Sequence, residues 1–351
     1  MLELINGMKA VVLHMHGGVD KLRYQDFPEP VCNDDEALVR VKACSVNRLD
    51  IWVRKGLPNR RVNFPHILGC DFSGYLVNSI GEFKANEDVL VYPGIGCNKC
   101  KYCLNGKENM CKEFSIIGGF SDWHGGYAQY TKVPYRNLIR MPKWLSYEEA
   151  STLGVAYLTA YSMIKKATEI SSMNCVEGNT VLVYSAGSGV GIASIQFAKA
   201  LGFNVITTVG DKSKLSKARI YADHVIDRSE KDIVSEVMSI TGNEGVSIVI
   251  DQIGIWDTSI RCVKKGGVVM VCGATADEYT KVEVRILYNK LASIIGAYLG
   301  TKADMLEMLN FMHKHNIKPV IDTVFALEDA MLAHAMMEMN HNFGKIVLRV
   351  D

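Results

Sequence analysis

The second half of the chain alternates strand-type segments with helix-length segments, and this alternation constrains the fold more than any other feature. After about Ser146, apolar runs rich in β-branched residues recur at 181–184, 204–209, 224–227, 247–251, 268–272 and 293–297. Residues 191–201, between the first two runs, place their apolar side chains at helical spacing. Strands separated by helices pair in parallel, with the helices covering both faces. The pattern predicts an α/β fold with a doubly wound, parallel six-stranded Rossmann domain.

The first half of the chain has a different character. Short β-type runs at 37–43, 89–92 and 127–133 are separated by Gly and Pro turn signals, and long helical periodicity is scarce. These features predict a compact, mostly antiparallel β domain. Residues 302–315 and 327–339 are typical of helices, and residues 344–350 of a closing strand. A length of 351 residues also favours about two domains.

Composition excludes several classes of function. The net charge is +1, from 39 basic and 38 acidic side chains, so no basic field is available to hold nucleic acid. The longest apolar runs are too short to span a bilayer, and no signal peptide is recognisable. Six of the ten cysteines are scattered singly, which favours a reducing compartment; we expect a cytoplasmic protein. These six are Cys32, Cys44, Cys70, Cys175, Cys262 and Cys272.

A glycine-rich turn joins the first strand of the alternating region to its helix. The turn consists of Ala186, Gly187, Ser188, Gly189, Val190 and Gly191. Such a turn brings backbone N–H groups and a helix N-terminus close to a pyrophosphate, which predicts dinucleotide binding. Aligned on Gly191, the first two glycines of the G-x-G-x-x-G pattern are Ala186 and Ser188, both small enough to preserve the turn.

The residues after the second strand bear on the choice of dinucleotide. An acid at this strand end binds the ribose hydroxyl of NAD, whereas NADP requires room and positive charge for its phosphate. Val209 or Gly210 occupies that position, and Lys212, Ser213 and Lys214 follow, so we expect NADPH, with NADH as the alternative. Asp211 favours NADH if its side chain points inward. The two lysines are also compatible with an ordinary solvated helix start.

Four cysteines, Cys97, Cys100, Cys103 and Cys111, fall within fifteen residues. Four thiolates can close a tetrahedral zinc site with no open position, which predicts one structural Zn²⁺. An iron–sulfur cluster is the competing interpretation, but its usual motif has a shorter last gap followed by Pro. Two disulfides are the remaining alternative, and the inferred compartment disfavours them.

Taken together, these segments resemble the medium-chain dehydrogenase/reductase superfamily, which includes zinc-type alcohol dehydrogenases and quinone oxidoreductases. Besides the cysteine lobe and the glycine turn, the segments in the family's order are VKA at 41–43 with NRLD at 47–50, PHILGCDFSG at 65–74, GGYA at 125–128, LTAY at 158–161 and GKIV at 344–347. The resemblance implies a β-rich, GroES-like catalytic domain at 1–155 and 299–351. It also implies an inserted dinucleotide-binding domain at 156–298, with the active site in the cleft between the two.

The same resemblance identifies departures at the catalytic metal site. In zinc alcohol dehydrogenases the metal is held by a Cys, a His followed by Glu, and a third Cys or acid. The corresponding residues here are Asn47, Cys70 with Asp71, and Val155. Two adjacent ligands cannot fix an open tetrahedral site, so we expect no catalytic zinc. Improvised ligands would have to come from Cys44, Asp50 or His66.

Asn47, Trp52 and the Arg54-x-Gly56 pattern resemble the zinc-free quinone and enone reductases. This resemblance implies hydride transfer between NADPH and a small quinone, enone or carbonyl substrate, polarised by hydrogen bonds. Asn47 would orient the carbonyl or the nicotinamide ribose, Trp52 would form one wall, and Thr159 would lie near the nicotinamide. Otherwise Asn47 is a capping residue and Trp52 a packing residue. His124 is expected to be a loop residue.

Two rival functions remain open at this point. The first is a zinc-dependent alcohol dehydrogenase with atypical ligands, for which Cys70 and Asp71 are the candidates. The second is a non-catalytic NADPH-binding protein. For partners we expect a small-molecule substrate, no nucleic acid and no membrane. Self-association as a homodimer or homotetramer is expected through the strand at 268–272 and residues 282–295, because the family commonly forms such oligomers.

Overall fold

The computed structural model describes residues 7–173 and 180–351, so Cys175 and the first six residues lie outside the described part. The strands are β1 (Gly7–Leu13), β2 (Leu22–Pro28), β3 (Glu36–Val46), β4 (His66–Ile67), β5 (Asp71–Leu76), β6 (Asp88–Val91), β7 (Gly94–Ile95), β8 (Ser115–Ile116), β9 (Tyr130–Pro134), β10 (Leu138–Arg140), β11 (Thr180–Val183), β12 (Asn204–Val209), β13 (His224–Asp227), β14 (Val246–Asp251), β15 (Val263–Val271), β16 (Ser293–Gly296), β17 (Ile321–Ala326) and β18 (Lys345–Arg349). The α-helices are α1 (Arg48–Lys55), α2 (Lys101–Leu104), α3 (Tyr147–Ala150), α4 (Leu158–Met173), α5 (Gly189–Ala200), α6 (Leu215–Ala218), α7 (Ile233–Ile240), α8 (Trp256–Cys262), α9 (Val284–Asn289), α10 (Lys302–Lys314) and α11 (Ala330–Glu338).

The chain divides into two units, and each contains a sheet of its own. The first unit comprises Met1–Val155, Thr301–His313 and Ile321–Asp351, and the second comprises Ala156–Gly300 and Lys314–Val320. The first unit is built on a seven-stranded sheet of order β10-β6-β5-β3-β18-β17, with β9 also paired to β3. All its neighbouring strands are antiparallel except β17 and β18. The expectation of a mostly antiparallel first domain is therefore confirmed.

Strand β3 is central in the first unit because it pairs with three other strands, β5, β9 and β18. Its residues alternate between buried and half-buried along the first part of the strand and are buried from Ala43 to Val46. Alternation is typical of a sheet with one covered face, and its loss shows that the end of β3 is covered on both faces. Strands β5 and β18 pair with this end, through Ser45 with Asp71 and through Val46 with Ile346.

The second unit carries a six-stranded parallel sheet of order β13-β12-β11-β14-β15-β16. Each of the six strands coincides with a predicted segment, although β15 begins earlier, at Val263. The chain moves outward from β11 to β13 and then returns to the other side of β11 with β14. This reversal is the topological switch point at which doubly wound sheets bind ligands. The predicted fold class is confirmed.

The boundary near the C-terminus differs from the expectation that 299–351 belong entirely to the β-rich domain. Residues 299–300 and the segment Lys314–Val320 group with the parallel sheet instead. The hydroxyl of Tyr157, just after the boundary, accepts from Val320 N at 2.9 Å and donates to Gln196 Oε1 at 2.8 Å. Gln196 in turn donates to Lys318 O at 2.9 Å. These hydrogen bonds attach the segment to the second unit.

Within the described ranges, 7–173 and 180–351, no helix combines the length and the apolar character needed to cross a membrane.

Candidate functional site

The glycine turn follows β11 and is fastened to the neighbouring strand β12. Ser185 adopts a left-handed backbone conformation with φ of 52°, and its N–H donates to Thr208 Oγ1 at 3.0 Å. Ala186 N donates to Thr208 O at 2.9 Å. Both bonds fix the path of the turn before α5 begins.

Ser188, in the position of the second family glycine, is the N-cap of α5. Its Oγ accepts a hydrogen bond from Gly191 N at 2.9 Å, which satisfies one of the free N–H groups of the first helical turn. A Cβ at Gly191 would lie 2.2 Å from Ser185 O, so only glycine fits there. The close approach of the turn to the start of α5 fits a dinucleotide pyrophosphate, for which the remaining N–H groups and the helix dipole provide attraction.

Three charged residues, Asp211, Lys212 and Arg228, lie at the end of β12, and they differ in their partners. Asp211 Oδ1 accepts from Ser213 N at 2.9 Å, so this acid caps the turn that follows it. Lys212 forms an ion pair with Glu230, which raises the pKa of Lys212. A Cβ at Gly210 would lie 2.7 Å from Arg228 Nη2, so the guanidinium of Arg228 lies directly against the position where NAD-binding strands carry an acid.

Arg228 is exposed, and no carboxylate in the described part of the chain forms an ion pair with its guanidinium. Its own N–H donates to Val209 O at 3.0 Å, which places the residue at the ends of β12 and β13 together. A planar guanidinium that is not neutralised is well suited to bind phosphate.

The four cysteines of the lobe converge as the spacing predicts. The ligand atoms of Cys97, Cys100, Cys103 and Cys111 all lie within 4.8 Å of one another, and the Sγ atoms of Cys97 and Cys103 are 4.0 Å apart. Thiolates on a tetrahedral Zn²⁺ at about 2.3 Å stand about 3.8 Å apart. The donor set and its dimensions therefore fit a structural zinc ion.

Hydrogen bonds and burial act in opposite directions on the thiols of the lobe, and burial raises the pKa of Cys103 to about 12. The backbone N–H groups of Lys99 and Cys100 lower the pKa of Cys97 to about 6. Cys111 Sγ accepts from Cys97 N at 3.5 Å and from Glu113 N at 3.4 Å. In residues 7–173 and 180–351, these four cysteines form the one group of three or more His, Cys, Asp or Glu side chains placed to hold a metal ion.

Asn47 lies at the junction of β3 and α1, in a buried polar cluster of the first unit. Its N–H donates to Asp50 Oδ2 at 2.7 Å, and its Oδ1 accepts from Lys345 Nζ at 2.6 Å. Lys345 begins β18 and also donates to Val46 O at 3.1 Å. Asp71, at the start of β5, places its Oδ2 3.7 Å from the same ammonium group.

Each carboxylate of this cluster is held by backbone donors as well. Asp71 Oδ1 accepts from Gly154 N at 2.7 Å, and its Oδ2 accepts from Ser45 Oγ at 3.0 Å. Asp50 Oδ1 accepts from Gly69 N at 3.0 Å and from the Cys70 thiol at 3.6 Å. Asn47 and Asp71, at two of the family's metal-ligand positions, thus contact Lys345, and Cys70 contacts Asp50.

Burial controls the charges in the cluster. Loss of solvent raises the pKa of Asp50 to about 6, although hydrogen bonds from Asn47 and Gly69 oppose the shift. Burial lowers the pKa of Lys345, while attraction to Asp71 and Asp50 raises it. Burial also raises the pKa of the Cys44 and Cys70 thiols well above the ordinary value, so both favour the neutral form.

The other two predicted catalytic residues lie on helices. Trp52 is half-buried in α1, one and a half turns after Asn47. Thr159 is buried in α4 of the second unit, and its carbonyl accepts from Ser162 Oγ at 3.1 Å. Asn47 and Trp52 therefore lie in the first unit and Thr159 in the second.

Four further residues were predicted from the sequence to be improvised ligands or loop residues, namely Cys44, Asp50, His66 and His124. His66 is buried with Nε2 unpaired, and its ring centroid is 5.5 Å from that of His124. Burial and the neighbouring His124 lower the pKa of His66 to about 4. His124 Nδ1 accepts from Ile67 N at 3.4 Å and lies between strands, which agrees with a structural loop role. In the described ranges, 7–173 and 180–351, His66, Cys44 and Asp50 do not form a metal-binding group of three or more side chains with Cys70.

Comparisons with known proteins identify the family. The model of the alcohol dehydrogenase GroES-like domain matches residues 33–143, and the zinc-binding dehydrogenase model matches residues 189–314. A solved structure described as an NAD-dependent alcohol dehydrogenase is 34% identical, with a TM-score of 0.89, covering 98% of this chain and 100% of that one. The chain is a medium-chain dehydrogenase/reductase.

Relatives of this medium-chain dehydrogenase/reductase fall into more than one catalytic group. This chain is 29% identical to a zinc-type alcohol dehydrogenase-like protein of Schizosaccharomyces pombe, with 98% of this chain and 99% of the relative covered. It is 26% identical to a quinone oxidoreductase of Rattus norvegicus, with 97% of each chain covered. The protein is therefore an NAD(P)-dependent oxidoreductase, and its fold includes a GroES-like domain.

Two site residues of this medium-chain dehydrogenase/reductase, Lys345 and Arg228, were not predicted from the sequence. Lys345 was noted only as part of the GKIV segment, because nothing in a closing strand indicates a buried ammonium. Arg228 was missed because the cofactor was predicted only from residues at the end of the second strand. The pairing of β12 with β13 would have been a usable signal, since parallel neighbours end at the same edge of a sheet.

Proposed function

We propose that this enzyme reduces small quinones, enones or carbonyl compounds with NADPH and activates the reacting oxygen without a catalytic zinc ion. The observation that carries the proposal is the contact of the Lys345 ammonium with Asn47 Oδ1 at 2.6 Å, beside Asp71 at 3.7 Å. Asn47 and Asp71 stand at two family ligand positions. A buried cation already compensates the charge there, and a divalent ion beside it would be repelled.

The chemistry requires a donor for the charge that develops on the substrate oxygen. Asn47 supplies an amide N–H in a buried setting, where such a donor is worth more than in water. Trp52 offers an apolar wall, and Thr159 is proposed to contact the nicotinamide. When bound, NADPH supplies the hydride, which the substrate accepts at the enone β-carbon, the carbonyl carbon or a quinone oxygen. A proton from solvent then completes the two-electron reduction.

We propose NADPH rather than NADH as the preferred cofactor. The glycine turn, Ala186 to Gly191, would hold the pyrophosphate. Gly210 leaves room beside the unpaired guanidinium of Arg228, and Lys214 lies in the following turn. Ser213 would contribute its hydroxyl, whereas Lys212 is already neutralised by Glu230. Asp211 already accepts a hydrogen bond from Ser213 N, which makes its carboxylate less available to bind a ribose hydroxyl.

Structural zinc at the four cysteines, a reducing cellular compartment and self-association complete the proposal. Nine cysteines in the described part of the chain are free, which is typical of a reducing environment. The edge strand β16 and helix α9 would form the contact between copies, because Tyr279, Tyr288 and Leu291 expose large apolar side chains near them.

The direct test is an assay of NADPH oxidation with a panel of quinones, enones and aldehydes, run beside Asn47→Ala. We expect turnover with at least one member and a loss of about 100-fold in kcat/KM for the variant, the size of one oxyanion donor. NADPH binding should be retained, measured by fluorescence titration. Binding without turnover on the whole panel would favour a non-catalytic cofactor-binding protein instead.

A further inference from the structure

The buried ammonium of Lys345 is the most unusual charge in the first unit. The residue is 2% exposed, and its Nζ is shared among Val46 O at 3.1 Å, Asn47 Oδ1 at 2.6 Å and the more distant Asp71 Oδ2. An unpaired buried ammonium would be very costly, so this arrangement must recover most of its desolvation cost through these contacts. The shortest of the contacts is to a neutral amide rather than to a carboxylate.

This contact fixes which end of the Asn47 amide faces the lysine. An ammonium group only donates hydrogen bonds, so the atom beside it must be the amide oxygen. The amide nitrogen Nδ2 is therefore turned away from Lys345. Its nearest acceptors are Ser45 O at 3.4 Å and Asp71 Oδ2 at 3.5 Å, both at the long limit for a hydrogen bond. Both bonds of Nδ2 are therefore weak ones, which a substrate oxygen at a shorter distance would replace.

We propose that Lys345 is a positioning residue, which holds the Asn47 amide so that its N–H, and not its oxygen, is offered to the reacting oxygen of the substrate. The inference rests on the proposed function and adds to it the residue that prevents the amide from flipping. An amide turned by half a rotation would present an oxygen to the developing negative charge, and the two would repel.

The neighbouring groups keep the lysine itself in place. Asp71 is fixed by Gly154 N and Ser45 Oγ, on segments separate from β18. Asp50 anchors the backbone N–H of Asn47 from the opposite side. Both ends of the Asn47 residue, its backbone and its side chain, are therefore tied to fixed charges, as precise positioning requires.

The first test is a double-mutant cycle on Lys345→Met and Asn47→Ala. Lys345→Met should lower kcat/KM by about 10- to 100-fold, because the amide loses its charged partner, while NADPH affinity stays within twofold. In the Asn47→Ala background the same change should have no further effect on kcat/KM. Arg349→Met removes an exposed cation from the same strand and serves as the matched control. Independent, additive losses would overturn the proposal.

A second variant retains the lysine and so avoids a folding defect. Asn47→Asp preserves an oxygen for Lys345 and removes both N–H donors. We expect Asn47→Asp to be as slow as Asn47→Ala and to remain folded at the assay temperature, although its second oxygen lies beside Ser45 O and Asp71 Oδ2 and lowers the melting temperature. Wild-type kcat/KM in Asn47→Asp would show that the amide N–H is not used and would overturn the proposal.

A third measurement does not depend on turnover. The side-chain amide signals of Asn47 in a ¹H–¹⁵N spectrum are identified by their absence from Asn47→Asp. They should shift or double in Lys345→Met and stay in place in Arg349→Met. Unchanged signals in Lys345→Met would refute the positioning role even in an active enzyme. If the signals shift but the protein reduces none of the panel substrates, the positioning contact is supported and the proposed function is rejected.

Discussion

Among single residues, Asp50 is a buried carboxylate whose pKa burial moves toward neutrality. Its carboxylate faces Lys345, Cys70, Asp71, Cys44 and Tyr127, and burial raises its pKa from 3.8 to about 6. Between these two values the folded protein binds a proton that the unfolded chain does not. The contribution of Asp50 to stability is therefore greatest below about pH 4 and is lost as the pH rises to about 6.

We expect the free energy of unfolding of the wild-type protein, relative to Asp50→Asn, to fall by about 2 kcal/mol between pH 4 and pH 6, at about 1.4 kcal/mol per pKa unit. Denaturant titrations at a series of pH values measure this difference. Buried histidines with lowered pKa, such as His66 and His334, make the stability rise with pH. They do so in both proteins, so their contribution cancels in the difference. A difference independent of pH would contradict the raised pKa of Asp50.

Arg228 is predicted to determine the preference for a phosphorylated ribose. Arg228→Ala should raise the Kd of 2′,5′-ADP by about 10- to 100-fold, the value of charge-assisted hydrogen bonds to one phosphate. The Kd of 5′-ADP should change by less than about twofold, since that ligand lacks the 2′-phosphate. Calorimetric titration provides both values. Lys212→Ala is the matched control, and a larger effect from it than from Arg228→Ala would return the role to Lys212.

At the level of elements, the cysteine lobe depends on four side chains for its order. Its helix α2 has four residues, too few to be stable alone, and its polar residues offer no core. Cys103→Ser should lower the zinc content of the purified protein from one per chain toward zero and lower the melting temperature by at least about 5 °C. Cys32→Ser changes a lone, half-buried cysteine and should leave both unchanged.

The sequence was most informative where local pattern and fold agree. The β12 and β13 segments were predicted with the bounds observed, because β-branched runs between helices have few alternatives. Residues 327–339 were predicted as one helix, but a 3₁₀ turn at Leu327–Asp329 precedes α11. Helical spacing does not distinguish the two types of turn over three residues. The helix predicted to begin at Gly191 begins at Gly189, where Ser188 caps it.

The site was less predictable because its contacts join distant parts of the chain. Asn47 was identified from its own segment, but its partner Lys345 lies 298 residues later. Asp50 was considered as an improvised ligand, whereas it accepts from the backbone of Asn47 and Gly69. Burial and long-range pairing decide these roles, and neither is encoded in local spacing.

For the whole molecule, the edge of the parallel sheet is the surface predicted to hold copies together. Strand β16 is paired on one side by β15, and α9 beside it exposes Val284 and Tyr288. Tyr288→Asp should shift the protein from an oligomer toward monomers in sedimentation velocity, because a charge there would be desolvated in the contact. Ile220→Asp, on an exposed site elsewhere in the second unit, should not. Monomers in the wild-type protein would refute the contact.

The central claim for the whole enzyme is that protein dipoles, and no bound divalent ion, polarise the reacting oxygen. The most direct measurement is the number of zinc ions per chain in protein that turns over NADPH, with the same count for Cys70→Ser. We predict one zinc per chain in both, held by the four cysteines of the lobe. Two zinc ions per active chain, with one lost in Cys70→Ser, would contradict the account.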